Sequence, residues 1–121
     1  MTPHEMLNTS YRLLMKQGRP SCDYRHHCRY RGPSKTACAV GVLIENDRLA
    51  KNLDRRVRSN IKLILTHNCP EELEWMKPHV DLLSAMQAVH DGADPEYFHA
   101  DLTAGYRRIA ERFDLTLEAG E

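Results

Sequence analysis

Four stretches of this chain space apolar side chains three and four residues apart, and that period commits most of it to packed amphipathic helices. Met6, Leu7, Tyr11, Leu13 and Leu14, with Ser10, share the first face. Thr2-Pro3-His4-Glu5 ahead of them supplies a cap, a proline suited to the first helical position and the glutamate of a capping box. Gly18 and Pro20 end that segment. Ile61, Ile64 and Leu65 continue the register of Val57 as far as Asn68. Between Pro78 and Gly92, Leu82, Met86 and Val89 fall on one face with Leu83 beside it. Asp94-Pro95-Glu96 then opens a last helix with the stripe Phe98, Leu102, Tyr106, Ile109 and Phe113. A shorter helix is expected after Cys69-Pro70-Glu71-Glu72, whose acids suit the positive end of a helix dipole.

Between the first and second stripes the pattern changes. Ser21 to Thr36 has no helical stripe, interleaves Tyr with Arg, and carries turn chemistry at Gly32-Pro33-Ser34. It reads as an extended segment around Cys28 to Arg31, one arm of a small hairpin. Thr36 then caps a helix through Ala37 to Ile44 that is apolar all round and therefore buried. Gly41 inside it marks a close approach by a neighbouring element. Asn46 to Asn60 is polar and basic, a loop or short helix. The fold class is mainly α: one compact domain over residues 1–121, about five helices, and at most one small β-hairpin or extended arm after the first helix. A chain of 121 residues suffices for one self-contained core. The longest apolar run, Ala37 to Ile44, falls far short of the ~20 residues a membrane helix needs. Nothing in Met1-Thr2-Pro3-His4-Glu5 resembles a signal sequence, so a cytoplasmic protein with no membrane partner is expected. In that compartment the four cysteines stay reduced, which makes a disulfide framework a poor default.

The formal net charge of zero conceals a segregation. Residues 12–62 hold thirteen Lys/Arg against four Asp/Glu, a balance of +9, whereas residues 63–121 hold four against twelve, a balance of −8. Either the basic segment receives a polyanion or the two segments neutralise each other on folding.

Several constellations could carry chemistry. Cys22, His26, Cys28 and Cys38 mix thiolate with imidazole, which suits a structural zinc, with His27, His67 and Cys69 as further donors. Against this, Cys-x5-Cys-x9-Cys lacks the tight knuckle that turns two thiolates onto one ion. The stronger reading takes Cys28 and Cys38 as small buried hydrophobes that join the extended arm to the central helix. Cys38 near a helix N-terminus, approached by His26 or His27, would be a candidate nucleophile, although its apolar setting favours inertness. Gly32-Pro33-Ser34-Lys35-Thr36 fails as a phosphate loop, because Ser34 stands where glycine must precede lysine. His67, His90-Asp91 and Asp114 occur in the order of a helical metal phosphohydrolase, but His90 also suits a plain helix end. The remaining candidate is a basic, aromatic surface built from Tyr24, Arg25, Arg29, Tyr30, Arg31 and Lys35, with Arg55, Arg56 and Arg58 as a second cluster. Guanidinium groups pair bidentately with phosphate or carboxylate, and tyrosine rings stack on bases. A solvated face, or pairing with Glu71, Glu72 and Glu74, is the plainer alternative.

Cys28-Arg29-Tyr30-Arg31-Gly32-Pro33 followed by Cys38-Ala39-Val40-Gly41-Val42-Leu43-Ile44 resembles a family of small accessory proteins from tailed-phage and prophage genomes. That family shows Cys-x-Tyr-Arg-Gly, a spacer, Cys-Ala-x-Gly-x-Leu-Ile and a helical C-terminal part, here matched at Leu82 to Asp91 and at Ile109 to Phe113. After Ile44 this chain has Glu45-Asn46-Asp47 where the family often continues Pro-Asp. The resemblance implies a viral accessory gene and assigns no catalytic residue. The expectation is therefore a non-enzymatic binding protein that modulates or inhibits a host protein or nucleoprotein complex, such as a defence nuclease. The alternative is a direct nucleic-acid binder, with or without a structural zinc; no other cofactor is expected.

Overall fold

The computed structural model describes residues 1–118 apart from Tyr24, His26, Val57 and Arg58. Among these residues five α-helices run in order: α1 (Pro3–Gln17), α2 (Asp47–Asp54), α3 (Ile61–Thr66), α4 (Val80–Gly92) and α5 (Phe98–Arg112). Short 3₁₀ segments lie between them at Pro33–Lys35, Gly41–Leu43, Glu71–His79 and Pro95–Tyr97, and no strand forms among the described residues. This is the mainly α architecture that the apolar spacing predicts.

Local chemistry sets the first helix. Thr2 Oγ1 accepts the Glu5 N–H at 3.1 Å, Glu5 Oε1 accepts the Thr2 N–H at 2.8 Å, and Gly18 closes the helix at φ 77°. Asn46 caps α2 by accepting the Leu49 N–H at 3.0 Å, which resolves the ambiguous polar stretch into a helix. The stripes then converge. Met6 and Leu14 of α1, Leu83 and Met86 of α4, and Phe98, Leu102 and Tyr106 of α5 join Leu53 of α2 and Ile64 of α3 in one core. Fully burying an aliphatic or aromatic side chain of this size contributes about 1.5–3 kcal/mol. Both the basic and the acidic segments supply that core. At its centre Ser10 donates to Ala39 O at 2.8 Å and meets the Tyr106 hydroxyl at 2.7 Å, tying α1 to α5 across the central turn.

Residues 36–44 differ from expectation. Most are buried, with Ala37 and Val42 half-buried, yet only one 3₁₀ turn, Gly41–Leu43, forms where an α-helix was predicted. The reason is tertiary. Gln17 takes both the N–H and the carbonyl of Ala37, and Gln87 accepts the Val40 N–H. Arg31 claims the carbonyls of Gly41 at 2.7 Å and Ile44 at 2.6 Å. Backbone groups satisfied by side chains from elsewhere have no need of a helical ladder. Gly41 does mark a close approach: a Cβ there would lie 2.5 Å from Tyr30 O. No described helix is long and apolar enough to cross a membrane.

Candidate functional site

The segment after α1 is an arm that folds back on itself. Cys22 and Cys28 pair in an isolated antiparallel bridge, the Asp23 N–H donates to His27 O at 2.9 Å, and the Arg29 N–H donates to Ser21 O at 2.7 Å. A disulfide joins Cys22 to Cys28, contrary to the expectation of four reduced thiols. Inside the loop Asp23 Oδ1 accepts the N–H groups of Arg25 and His27, and Oδ2 accepts Nε and Nη2 of Arg29 at 3.1 and 3.0 Å. Desolvation raises the Asp23 carboxyl, but these donors outweigh it and hold the group below the usual carboxylate range.

The arm is fastened to α2 and to the central turn by groups predicted to face a partner. Asp54, at the end of α2, accepts the Tyr30 N–H at 2.8 Å and the Arg31 N–H at 3.0 Å. Arg31 Nε reaches Asp47 Oδ1 at 2.8 Å. Lys51 and then Arg31, both hydrogen-bonded to Asp47, hold that carboxyl low. Tyr30 is only 5% exposed and donates its hydroxyl to Ser59 O, so its ring belongs to the core and cannot stack on a base. Burial pushes that phenol well above its ordinary range. Arg56 Nη1 donates to Asn68 O at 3.2 Å. Tyr24, His26 and Arg58 lie outside the described residues.

What stays open to solvent is a smaller cationic surface. Arg48 and Lys51 on the exposed face of α2, and Arg55 at the residue just past its end, recur at helical spacing. Arg48 and Arg55 form no ion pair among the described residues. A shallow groove of about 390 Å³ runs between this face and the arm. Four cations, Arg29, Arg31, Lys51 and Arg55, and two carboxylates, Asp23 and Asp54, line it. Lys35 and Arg25 are exposed nearby in sequence, at the turn and on the arm. Of the predicted set the fold thus brings Arg29, Arg31 and Arg55 together, but it consumes the hydrogen-bonding capacity of Arg31.

The metal candidates rearrange. Cys38 does not join Cys22 and Cys28: its thiol is wholly buried, accepts the Gly41 N–H at 3.3 Å, and is pushed by burial up to about 12. A thiol raised this far is protonated at neutral pH and so a poor nucleophile, and Cys38 joins no cluster of candidate ligand atoms among the described residues. The side chains that meet Cys28 come instead from the last turn of α4. One ligand atom each of Cys28, His90 and Asp91 lies within 4.8 Å of the others. Neither His67 nor Asp114 joins that group, so the order of a metal phosphohydrolase is not assembled. His90 is fully buried, its Nε2 accepts the Ser21 N–H at 2.9 Å, and its Nδ1 meets Asp91 Oδ1 at 2.9 Å. The Ser21 N–H can only donate, so Nε2 carries the lone pair and Nδ1 carries the proton shared with Asp91. Sequence reasoning saw His90-Asp91 as a helix end and missed this partnership, because 62 residues separate Cys28 from His90 and no local spacing announces it.

The chain matches no protein-family model, no curated protein and no solved structure.

Proposed function

We propose that this chain is a non-enzymatic binding protein that engages an acidic surface on a partner complex through the exposed face of α2. The observation that carries the reading is the pair Arg48 on α2 and Arg55 just past its end, both solvent-facing, flanking Lys51 and without carboxylate partners among the described residues. Of the cations lining the adjacent groove, Arg29, Arg31 and Lys51 pair with carboxylates, which leaves Arg55, with Arg48 on the same face, to receive an anion there. The buried, raised thiol of Cys38 supports a binding role over thiol catalysis. The motif resemblance to phage accessory proteins makes a host complex, for example a defence nuclease, the partner class to test first.

Affinity capture from host lysate at low salt, followed by mass spectrometry, should return a stoichiometric partner with the wild-type chain. The double variant Arg48→Glu, Arg55→Glu should lose it while keeping its circular dichroism. Failure to recover any partner at low salt, or equal recovery by the variant, sinks the reading. Direct nucleic-acid binding is the second reading, because the same groove presents guanidinium groups suited to phosphate. It predicts log affinity falling with log salt by about 0.9 per duplex phosphate contacted. Burial of Tyr30 removes one ring that this alternative would use for stacking.

A further inference from the structure

We propose that in its dithiol form the junction between the arm and α4 holds a zinc ion, with Cys22, Cys28 and His90 as ligands. Asp91 acts as the carboxylate that orients His90. The inference concerns a different part of the molecule from the cationic face of α2 and stands or falls separately.

Two elements far apart in sequence bring mixed donors to one point. Cys28, His90 and Asp91 each place a ligand atom within 4.8 Å of the other two. Cys22 is not one of that group; it is bonded to Cys28, and once the disulfide is reduced its side chain would have to turn toward His90 to become a ligand. Thiolate with imidazole selects zinc over the hard cations magnesium and calcium. His90 is already arranged as zinc-bound histidines are: one nitrogen gives its proton to a carboxylate, and the other carries a lone pair directed at Ser21, the residue before Cys22. The ion would take the place of the Ser21 N–H at Nε2. A four-coordinate site would leave the last position to water. Cys22 and Cys28 are half-buried and Asp91 is exposed, which gives the ion a route from solvent.

Disulfide and metal exclude each other at these two sulfurs. The dithiol arises by exchange with a thiol reductant: two electrons and two protons pass to Cys22 and Cys28, and the reductant leaves as its own disulfide. Loss of the two thiol protons on metal binding then completes the site. In the oxidised form the arm is clasped on itself; with the ion bound it is clamped to the last turn of α4.

The test is cobalt titration of the full chain after reduction and removal of the reductant without air. One equivalent should bind with thiolate-to-cobalt charge-transfer absorption in the near ultraviolet, which the oxidised protein should lack. Cys22→Ser and Cys28→Ser should lose that absorption, whereas Cys38→Ala and Cys69→Ser should keep it. Asp91→Asn should weaken binding about 10–100-fold. His90 is buried and its replacement endangers folding, so X-ray absorption on the zinc-loaded wild type reads its part directly, through two sulfurs and imidazole scattering. No charge-transfer band in the reduced wild type, its persistence in Cys28→Ser, its loss in folded Cys38→Ala, or zinc without imidazole scattering would each overturn the proposal.

Discussion

An arginine whose three nitrogens all reach partners inside the chain, as those of Arg31 do at Asp47, Tyr30, Gly41 and Ile44, cannot also serve a visiting anion. Its planar fork fixes the arm, the central turn and the start of α2 in one geometry. Lysine has the charge but not the fork, and a single ammonium cannot reproduce bonds made by three separate guanidinium nitrogens to Asp47 and two carbonyls. Arg31→Lys should therefore strand the Gly41 and Ile44 carbonyls and cost about 2 kcal/mol, the scale of losing hydrogen bonds to a charged group. Urea unfolding checks this, with Arg55→Lys as the comparison. Arg55 is exposed and has no ion pair among the described residues, so its replacement should stay within about 0.5 kcal/mol of the wild type. Equal midpoints for the two variants would remove Arg31 from its structural role.

Among the elements, α4 and α5 pack by removing a side chain. A Cβ at Gly105 would collide with the methyls of Val89, so glycine is what lets the two helices close. Gly105→Ala gains helix propensity of up to about 1 kcal/mol, yet should still destabilise the protein by about 1–2 kcal/mol through overpacking. Adding Val89→Ala should return part of that loss, a coupling that a double-mutant cycle on denaturation midpoints measures. Simple additivity would show that the helices shift apart freely. Helix α1 was legible in the sequence because its cap and stripe are local, and α5 because its stripe is, although Asp94 caps the 3₁₀ turn before α5 and not the helix itself. Residues 36–44 were not, since their burial is written locally but their partners are not: Gln17, Arg31 and Gln87 decide the backbone there. The candidate site divides in the same way. Arg55 was readable as a solvent-facing cation, whereas the burial of Tyr30 and the meeting of Cys28 with His90 depend on how distant segments dock.

At the scale of the whole molecule, the Lys/Arg ion pairs given among the described residues keep to one charge segment or the other. The pairs Arg29–Asp23, Arg31–Asp47 and Lys51–Asp47 stay within the basic segment, and Lys77–Glu74 stays within the acidic one. None of these four joins the two segments. Of the two outcomes open from composition, mutual neutralisation is not the one these contacts describe. A chain of zero formal net charge whose signs are segregated along the sequence, if they also lie on separate faces, behaves toward a charged surface as its nearer face does, not as its sum. At neutral pH and low ionic strength it should be retained on both cation- and anion-exchange media, and release should come at salt concentrations that shorten the screening length below about 10 Å. Arg48→Glu with Arg55→Glu should abolish retention on the cation exchanger and leave or strengthen it on the anion exchanger. Passage of the wild type through both media without delay would mean that the opposite charges compensate across the surface, and the exposed face of α2 would lose its claim on an acidic partner.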